Sequence, residues 1–193
     1  MARTYTLKRR AEQQAETRQR IVEAAVDLHS SLGPARTTVS MIAEKAGVQR
    51  HTFYAHFPDD RSMFMACSGL AWERDPLPDA RPWRSIGDAS ERLRVGLANL
   101  YAWYDRNAEL TGLVLRDAEH HALTREVNEF WSREPMRAIR ETLAAGLNAR
   151  QRALLQLALS YFTWRTLAHE SGLAQSDVVD TMVRAIDAAR NGQ

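Results

Sequence analysis

Between Thr37 and Asp60 the chain reads TTVSMIAEKAGVQRHTFYAHFPDD, and the spacing of small and apolar residues in this stretch permits few folds. Ile42, Ala43, Ala46, Val48 and Phe53 fall where two short helices crossing at a steep angle must touch, with Gly47 at the turn between them. Ala43 and Gly47 constrain the fold most. A larger side chain at 43 would push the helices apart, and glycine takes the positive φ that closes the first helix without strain. Thr38 supplies an N-cap hydroxyl, while Met41 three residues on leaves the capping box incomplete. The second helix, Gln49 to His56, places hydrogen-bonding groups at Gln49, Arg50, His51, Thr52, Tyr54 and His56, with Phe53 and Phe57 at i,i+4 spacing as its buried stripe. One apolar seam beneath a face this rich in donors reads as a helix-turn-helix that holds its second helix against DNA.

The helix ahead of the motif, TRQRIVEAAVDLHSSLG, and the run TTVSMIAEKAGVQRHTFYAHFPDDRSMF together resemble the N-terminal domain of the TetR (tetracycline-repressor) family of transcription regulators. The resemblance covers the first third of the chain and many positions, which makes it more specific than a short motif. It implies an all-α fold: an N-terminal three-helix domain with the helix-turn-helix, then a C-terminal helical bundle for effector binding and dimerisation. The expected divisions are a basic flexible arm over 1–16, a DNA-binding domain over 17–60 and the body over 61–193.

Charge is uneven along the chain although the formal net is only +2. Residues 1–20 carry Arg3, Lys8, Arg9, Arg10, Arg18 and Arg20 against Glu12 and Glu16. An arm so poor in apolar residues cannot bury itself, and it either follows DNA phosphates or a minor groove, or is a solvated tail. Cys67 is the one cysteine, so no intrachain disulfide can form. The longest uncharged stretch, Ala153 to Trp164, falls short of the roughly 20 residues needed to cross a bilayer. The N-terminus lacks a basic-then-apolar leader, and a cytoplasmic location with no membrane partner is expected.

Helical periodicity runs through the rest. A helix over about Thr17 to Leu32 has Ile21, Ala25, Leu28 and Leu32 on one face and ends at Gly33-Pro34. Arg61 to about Arg74 forms a fourth helix, with Met63, Phe64, Cys67 and Leu70 inward, that links reader to body as a lever. Three prolines between Asp75 and Pro82 predict a surface loop. Helices are then expected over about Ile86–Arg106, from Asn107 to His121, over Ala122–Gly146 with a kink or break at Pro135, over Asn148–Glu170 and over Gln175–Arg190.

The last two helices are apolar around more than one face: Leu154, Leu155, Leu157, Ala158, Leu159, Tyr161, Phe162, Trp164 and Leu167 on one, and Val178, Val179, Met182, Val183, Ile186 and Ala189 on the other. Either both helices are central to their own subunit, or the excess packs against a second copy in a two-fold four-helix interface. The resemblance implies the homodimer, which would set two recognition helices about 34 Å apart on a palindromic double-stranded DNA operator.

At the DNA, Arg50 suits guanine O6 and N7, Gln49 suits adenine N6 and N7, and His51 is a third base reader. Thr38, Thr52, Tyr54 and His56 resemble family positions that hold phosphates. Tyr54 is alternatively a half-buried ring with a solvated hydroxyl, and His56 a helix-end histidine facing the dipole. The family usually has a lysine three residues after Phe57, and here Asp60 stands there, followed by Arg61. Either Arg61 replaces that cation or the helix start stands farther from the backbone.

In the body, Trp103, Tyr104, Phe130 and Phe162, together with Trp131 and Trp164, offer aromatic walls. Arg116, His120 and Arg165, with Glu119 and His121, offer polar anchors. The same residues serve equally as plain core. The resemblance implies a small-molecule effector that lowers DNA affinity, and so a repressor released by its ligand. The alternative is a DNA-binding regulator without such an effector, constitutive or controlled by a protein partner. Asp117, His120 and His121 look like a metal cluster, but adjacent helical histidines point about 100° apart and no strong fourth ligand is present. A lone cysteine on an apolar face is ordinarily core. With no Gly-rich phosphate loop, nucleophile elbow or paired carboxylates, neither enzymatic activity nor a cofactor or metal is expected.

Overall fold

A computed structural model describes the backbone of residues 2–190 and the side chains of residues 8–190. The described residues form ten α-helices and no strand: α1 Ala2–Leu32, α2 Val39–Lys45, α3 Arg50–His56, α4 Asp60–Arg74, α5 Ala89–Arg106, α6 Ala108–Ala118, α7 Ala122–Leu143, α8 Ala149–Ala158, α9 Tyr161–Arg165 and α10 Gln175–Ala188. Two compact units result. One comprises the chain up to Arg74 with Gly112–Phe130, and the other comprises Asp75–Thr111 and the chain from Trp131 onward.

In the first unit, α1 starts far earlier than Thr17, so the residues expected as an arm are helical from Ala2. The segment contains neither Gly nor Pro, is rich in Ala, Arg, Glu and Gln, and carries a Lys8–Glu12 pair one turn apart. Met1 and the side chain of Arg3 lie outside the described residues. Among the described side chains of α1, burial begins at Ile21, continues through Val22, Ala24 and Ala25, and reaches His29. There α1 packs on α2 and α4. Gly33 ends α1 with φ 93°, and a 3₁₀ turn over Pro34–Arg36 leads to α2.

In the second unit, Asp88 caps α5 by accepting from the Glu91 amide at 2.7 Å. One face of α5 buries Leu93, Leu97, Leu100 and Tyr101. The proline-rich segment is irregular up to a 3₁₀ turn over Pro82–Ser85, but it is not wholly superficial, because Leu77, Ala80 and Trp83 are buried. Asp75 fixes its start: its carboxylate accepts from Arg106 and Asn107, and its carbonyl accepts from Trp103 Nε1 at 2.9 Å. Pro135 does not divide α7, whose far side continues to the buried Ile139, Thr142 and Leu143.

The helix expected over Asn148–Glu170 is broken. Asn148 and Gln151 form a full capping box at the start of α8, which ends at Ala158; α9 follows from Tyr161 and runs into a π-helical turn over Thr166–Glu170. The break is held from α5. Tyr101 and Tyr104 donate their hydroxyls to the carbonyls of Ala158 and Leu159 at 2.8 and 2.7 Å, satisfying the freed end of α8. Finally, α10 buries Val178, Val179, Met182, Val183 and Ile186 against α5 and α8 of its own chain. Its broad apolar side therefore has an intrachain explanation.

Candidate nucleic-acid interface

The reader is built on a small core. Ile42 and Ala43 of α2 and Phe53 of α3 are buried, as are Ala46 and Phe57 beside these helices. Gly47 takes φ 66° at the turn, and the Val48 amide donates to the Ala43 carbonyl at 2.9 Å, closing α2. The expectations for Ala43, Gly47 and the Phe53–Phe57 stripe match this geometry. Thr38 is the N-cap of α2, its hydroxyl accepting from the Met41 amide at 3.3 Å. The Arg18 guanidinium lies 4.8 Å from the centre of the Phe57 ring, which fixes the end of α3 against α1.

Above this core Gln49, Arg50, His51 and Tyr54 are exposed and Thr52 and His56 are half-buried. Gln49 is the N-cap of α3 and makes no side-chain cap bond. Steps of about 100° per residue place His51 and Ala55 opposite Phe53 and Phe57, while Gln49 and Arg50 stand at the open N-terminal end of the helix. Tyr54 is 45 % exposed and meets Phe53 edge-on at 5.5 Å between ring centres. Of the seven residues singled out in sequence, Thr38 caps α2, Gln49 caps α3 and the other five lie on α3.

At the departure from the family pattern, Asp59 accepts from the Ser62 amide at 2.6 Å, and Asp60 opens α4. Both acidic residues serve the helix start, where negative charge is stabilised. Arg61 is not a free cation, because its Nε donates to Glu126 Oε1 at 2.8 Å.

The pocket candidates are more dispersed. Trp103 and Tyr104 are buried in the second unit, where Tyr104 also meets Tyr161 and Trp164 at 5.5 and 5.7 Å. Burial raises the Tyr104 phenol well above its ordinary pKa, and its hydroxyl already serves Leu159. Phe162 lies at the surface with 45 % exposure, and Arg165 is exposed and paired with Glu170. In the first unit Phe130 is 60 % exposed, His120 is exposed, and Arg116 is bound to Asp117. Asp117 and His121 each have other partners: Asp117 accepts from the Ala35 amide at 2.9 Å, and His121 Nδ1 is 2.7 Å from Thr124 Oγ1.

Sequence reasoning missed Asp117 as a structural acceptor, Tyr101 as a cap of α8 and Tyr161 as a donor to α6. The latter's hydroxyl donates to the Ala108 carbonyl at 2.7 Å. Gly33 was the available signal, since a glycine with positive φ marks a place of close approach. Its partner eighty-odd residues away could not be read from spacing.

Residues 21–67 match the family model described as bacterial regulatory proteins, tetR family. The nucleoid occlusion factor SlmA of Vibrio vulnificus is 29% identical over 120 residues, covering 60% of this chain and 61% of that protein. The HTH-type transcriptional regulator SrpR of Pseudomonas putida is 37% identical over 79 residues, covering 37% of this chain and 36% of that protein. The chain therefore spans less than two thirds of the length of these relatives. A TetR-family regulator of Rhodococcus sp. shares the fold with TM-score 0.59 at 21% identity, covering 91% of this chain and all of its own. Residues 21–67 thus carry the sequence of the tetR family of bacterial regulatory proteins, and the chain shares its all-helical fold with solved tetR-family regulators.

Proposed function

We propose that the protein is a sequence-specific DNA-binding transcription regulator, acting as a homodimer and as a repressor that a small molecule releases from its operator. The observation that carries this reading is the exposed, donor-rich face of α3, from Gln49 to His56, held on the buried Phe53 and Phe57. Arg50 and Gln49 read base edges, His51 adds a third contact, and Thr38, Thr52, Tyr54 and His56 orient the helix on phosphates. Asp60 and the ion-paired Arg61 leave the start of α4 outside that grip. A second copy pairs over the α8–α9 face, where Leu157 is 51 % exposed and Phe162 is 45 % exposed. An effector acts only through its different affinity for dimers that do and do not space their readers for DNA.

Gel retardation with DNA from upstream of the protein's own gene tests the reading. A specific complex at moderate salt is expected, and equal retardation of a random duplex would reject it. A second reading is favoured by the scatter of the pocket candidates, with Arg116 and Arg165 ion-paired and Phe130 and Phe162 at the surface. In it, the DNA-binding regulator takes no small molecule and is constitutive or controlled by a protein partner. A thermal-shift screen separates the two, because a true effector raises the melting temperature by mass action.

A further inference from the structure

We propose that Asp117 and Arg116 form a charged latch that holds the turn between α1 and α2 and thereby sets the position of the reader; the inference rests on the DNA-binding reading above. Asp117 is 1 % exposed. Its Oδ2 accepts from the Ala35 amide at 2.9 Å, and its Oδ1 accepts from Arg116 Nε at 2.8 Å and Nη2 at 2.7 Å. Arg116 Nη2 also donates to the Leu32 carbonyl at 3.3 Å. Two consecutive residues of α6 therefore hold both ends of the turn, the last carbonyl of α1 and the first free amide beyond it.

Gly33, between those two points, is required twice over. Its φ of 93° suits glycine, and a Cβ there would lie 2.6 Å from both Arg116 Nη2 and Asp117 Oδ2. The hold continues toward the reader, because Thr37 Oγ1 donates to the Gly33 carbonyl at 2.9 Å and Thr38 is the cap of α2. A shift of α6 along α1 must then move the start of the helix-turn-helix. The corner between α6 and α7 also touches α4, through Glu126 on Arg61 and His121 against Phe64 at 5.8 Å between ring centres. That second contact uses neither Arg116 nor Asp117, so the two can be changed separately by substitution. Arg116 is 47% exposed, so water can take over one side of the latch. A latch with one wet partner can open without unfolding the unit.

Hydrogen–deuterium exchange on the full chain, free and with a duplex from upstream of its gene, tests the latch. In the wild type the duplex is expected to slow exchange at α3 and also at residues 116–124. Asp117→Asn keeps the shape and an acceptor for Ala35 but turns an amide N–H₂ toward Arg116. It is expected to speed exchange at residues 32–38 about tenfold, to weaken binding to the specific duplex about tenfold, and to abolish the response at 116–124. A merely structural role would lower stability and leave that response in place. Asp117→Ala should show the same changes more strongly, and if it fails to fold the Asn variant still decides. Wild-type protein that binds the duplex with a silent corner, or an Asn variant whose corner still responds, would overturn the latch alone. Wild-type protein that binds no duplex would overturn the DNA reading and the latch's role with it.

Discussion

His29 contributes a pH-dependent share of this protein's stability. Its ring is buried beside Cys67, with Nδ1 3.6 Å from Sγ, and packs on Phe64 at 5.1 Å. Burial lowers its pKa to about 4, against the pull of Asp117 and with a further push from His121, while burial of the neighbouring Cys67 thiol pushes it up to about 12. The unfolded chain takes up the proton first, near the ordinary value of 6.5, so the contribution is complete above that pH and is lost as pH falls toward 4. Urea unfolding should show about 2 kcal/mol less stability at pH 5 than at pH 7.5 from this residue, and His29→Leu should remove that share of the slope. At the DNA face the residue scale separates code from grip. Arg50→Ala is expected to cost about 1–3 kcal/mol and relax preference at one base position, whereas His56→Ala should weaken all sequences alike; quantitative retardation on a set of single-base operator variants distinguishes them. The pattern of α3 was legible in sequence, because one buried stripe, Phe53 and Phe57, alternates with hydrogen-bonding residues outside the core. Asp117 was not, because its partner Ala35 is distant in the chain and its role is defined only by contact.

At the junction of α8 and α9 the helix ends are set from outside those helices. The division of α8 from α9 depends on Tyr101 and Tyr104, so replacing Tyr101 by Phe should leave the Ala158 carbonyl buried without its donor and cost about 1–3 kcal/mol in denaturant unfolding. Periodicity alone predicts a continuous helix there, since neither Gly nor Pro lies between Asn148 and Glu170. The converse holds at Pro135, where a strong local breaker is overridden by the buried residues on its C-terminal side. At the start of α1, local propensity wins. A segment rich in polar residues still forms helix because nothing in it breaks one and it extends a helix already nucleated by the buried turns from Ile21 onward, to which the Lys8–Glu12 pair adds little.

At the scale of the whole molecule, the apolar surface open to a second copy is narrower than the sequence suggests. The buried side of α10 is satisfied by α5 and α8, which leaves Leu157 and Phe162 as the exposed large hydrophobics of the α8–α9 face. Replacing both by Glu is expected to shift a dimer to monomer in sedimentation velocity and to lower operator affinity sharply, while far-UV circular dichroism stays unchanged. A dimer that survives both changes would place the interface elsewhere. The tetR-type reader, the all-α class and most helix boundaries were determined by the sequence itself, because hydrophobic period, caps and glycine turns act over a few residues. The tertiary structure alone decided where α8 stops, which face of α10 is already covered, and that two residues of α6 hold the turn into the reader. Those outcomes depend on which distant groups meet, and a buried carbonyl or carboxylate takes whatever partner the fold brings within hydrogen-bonding distance.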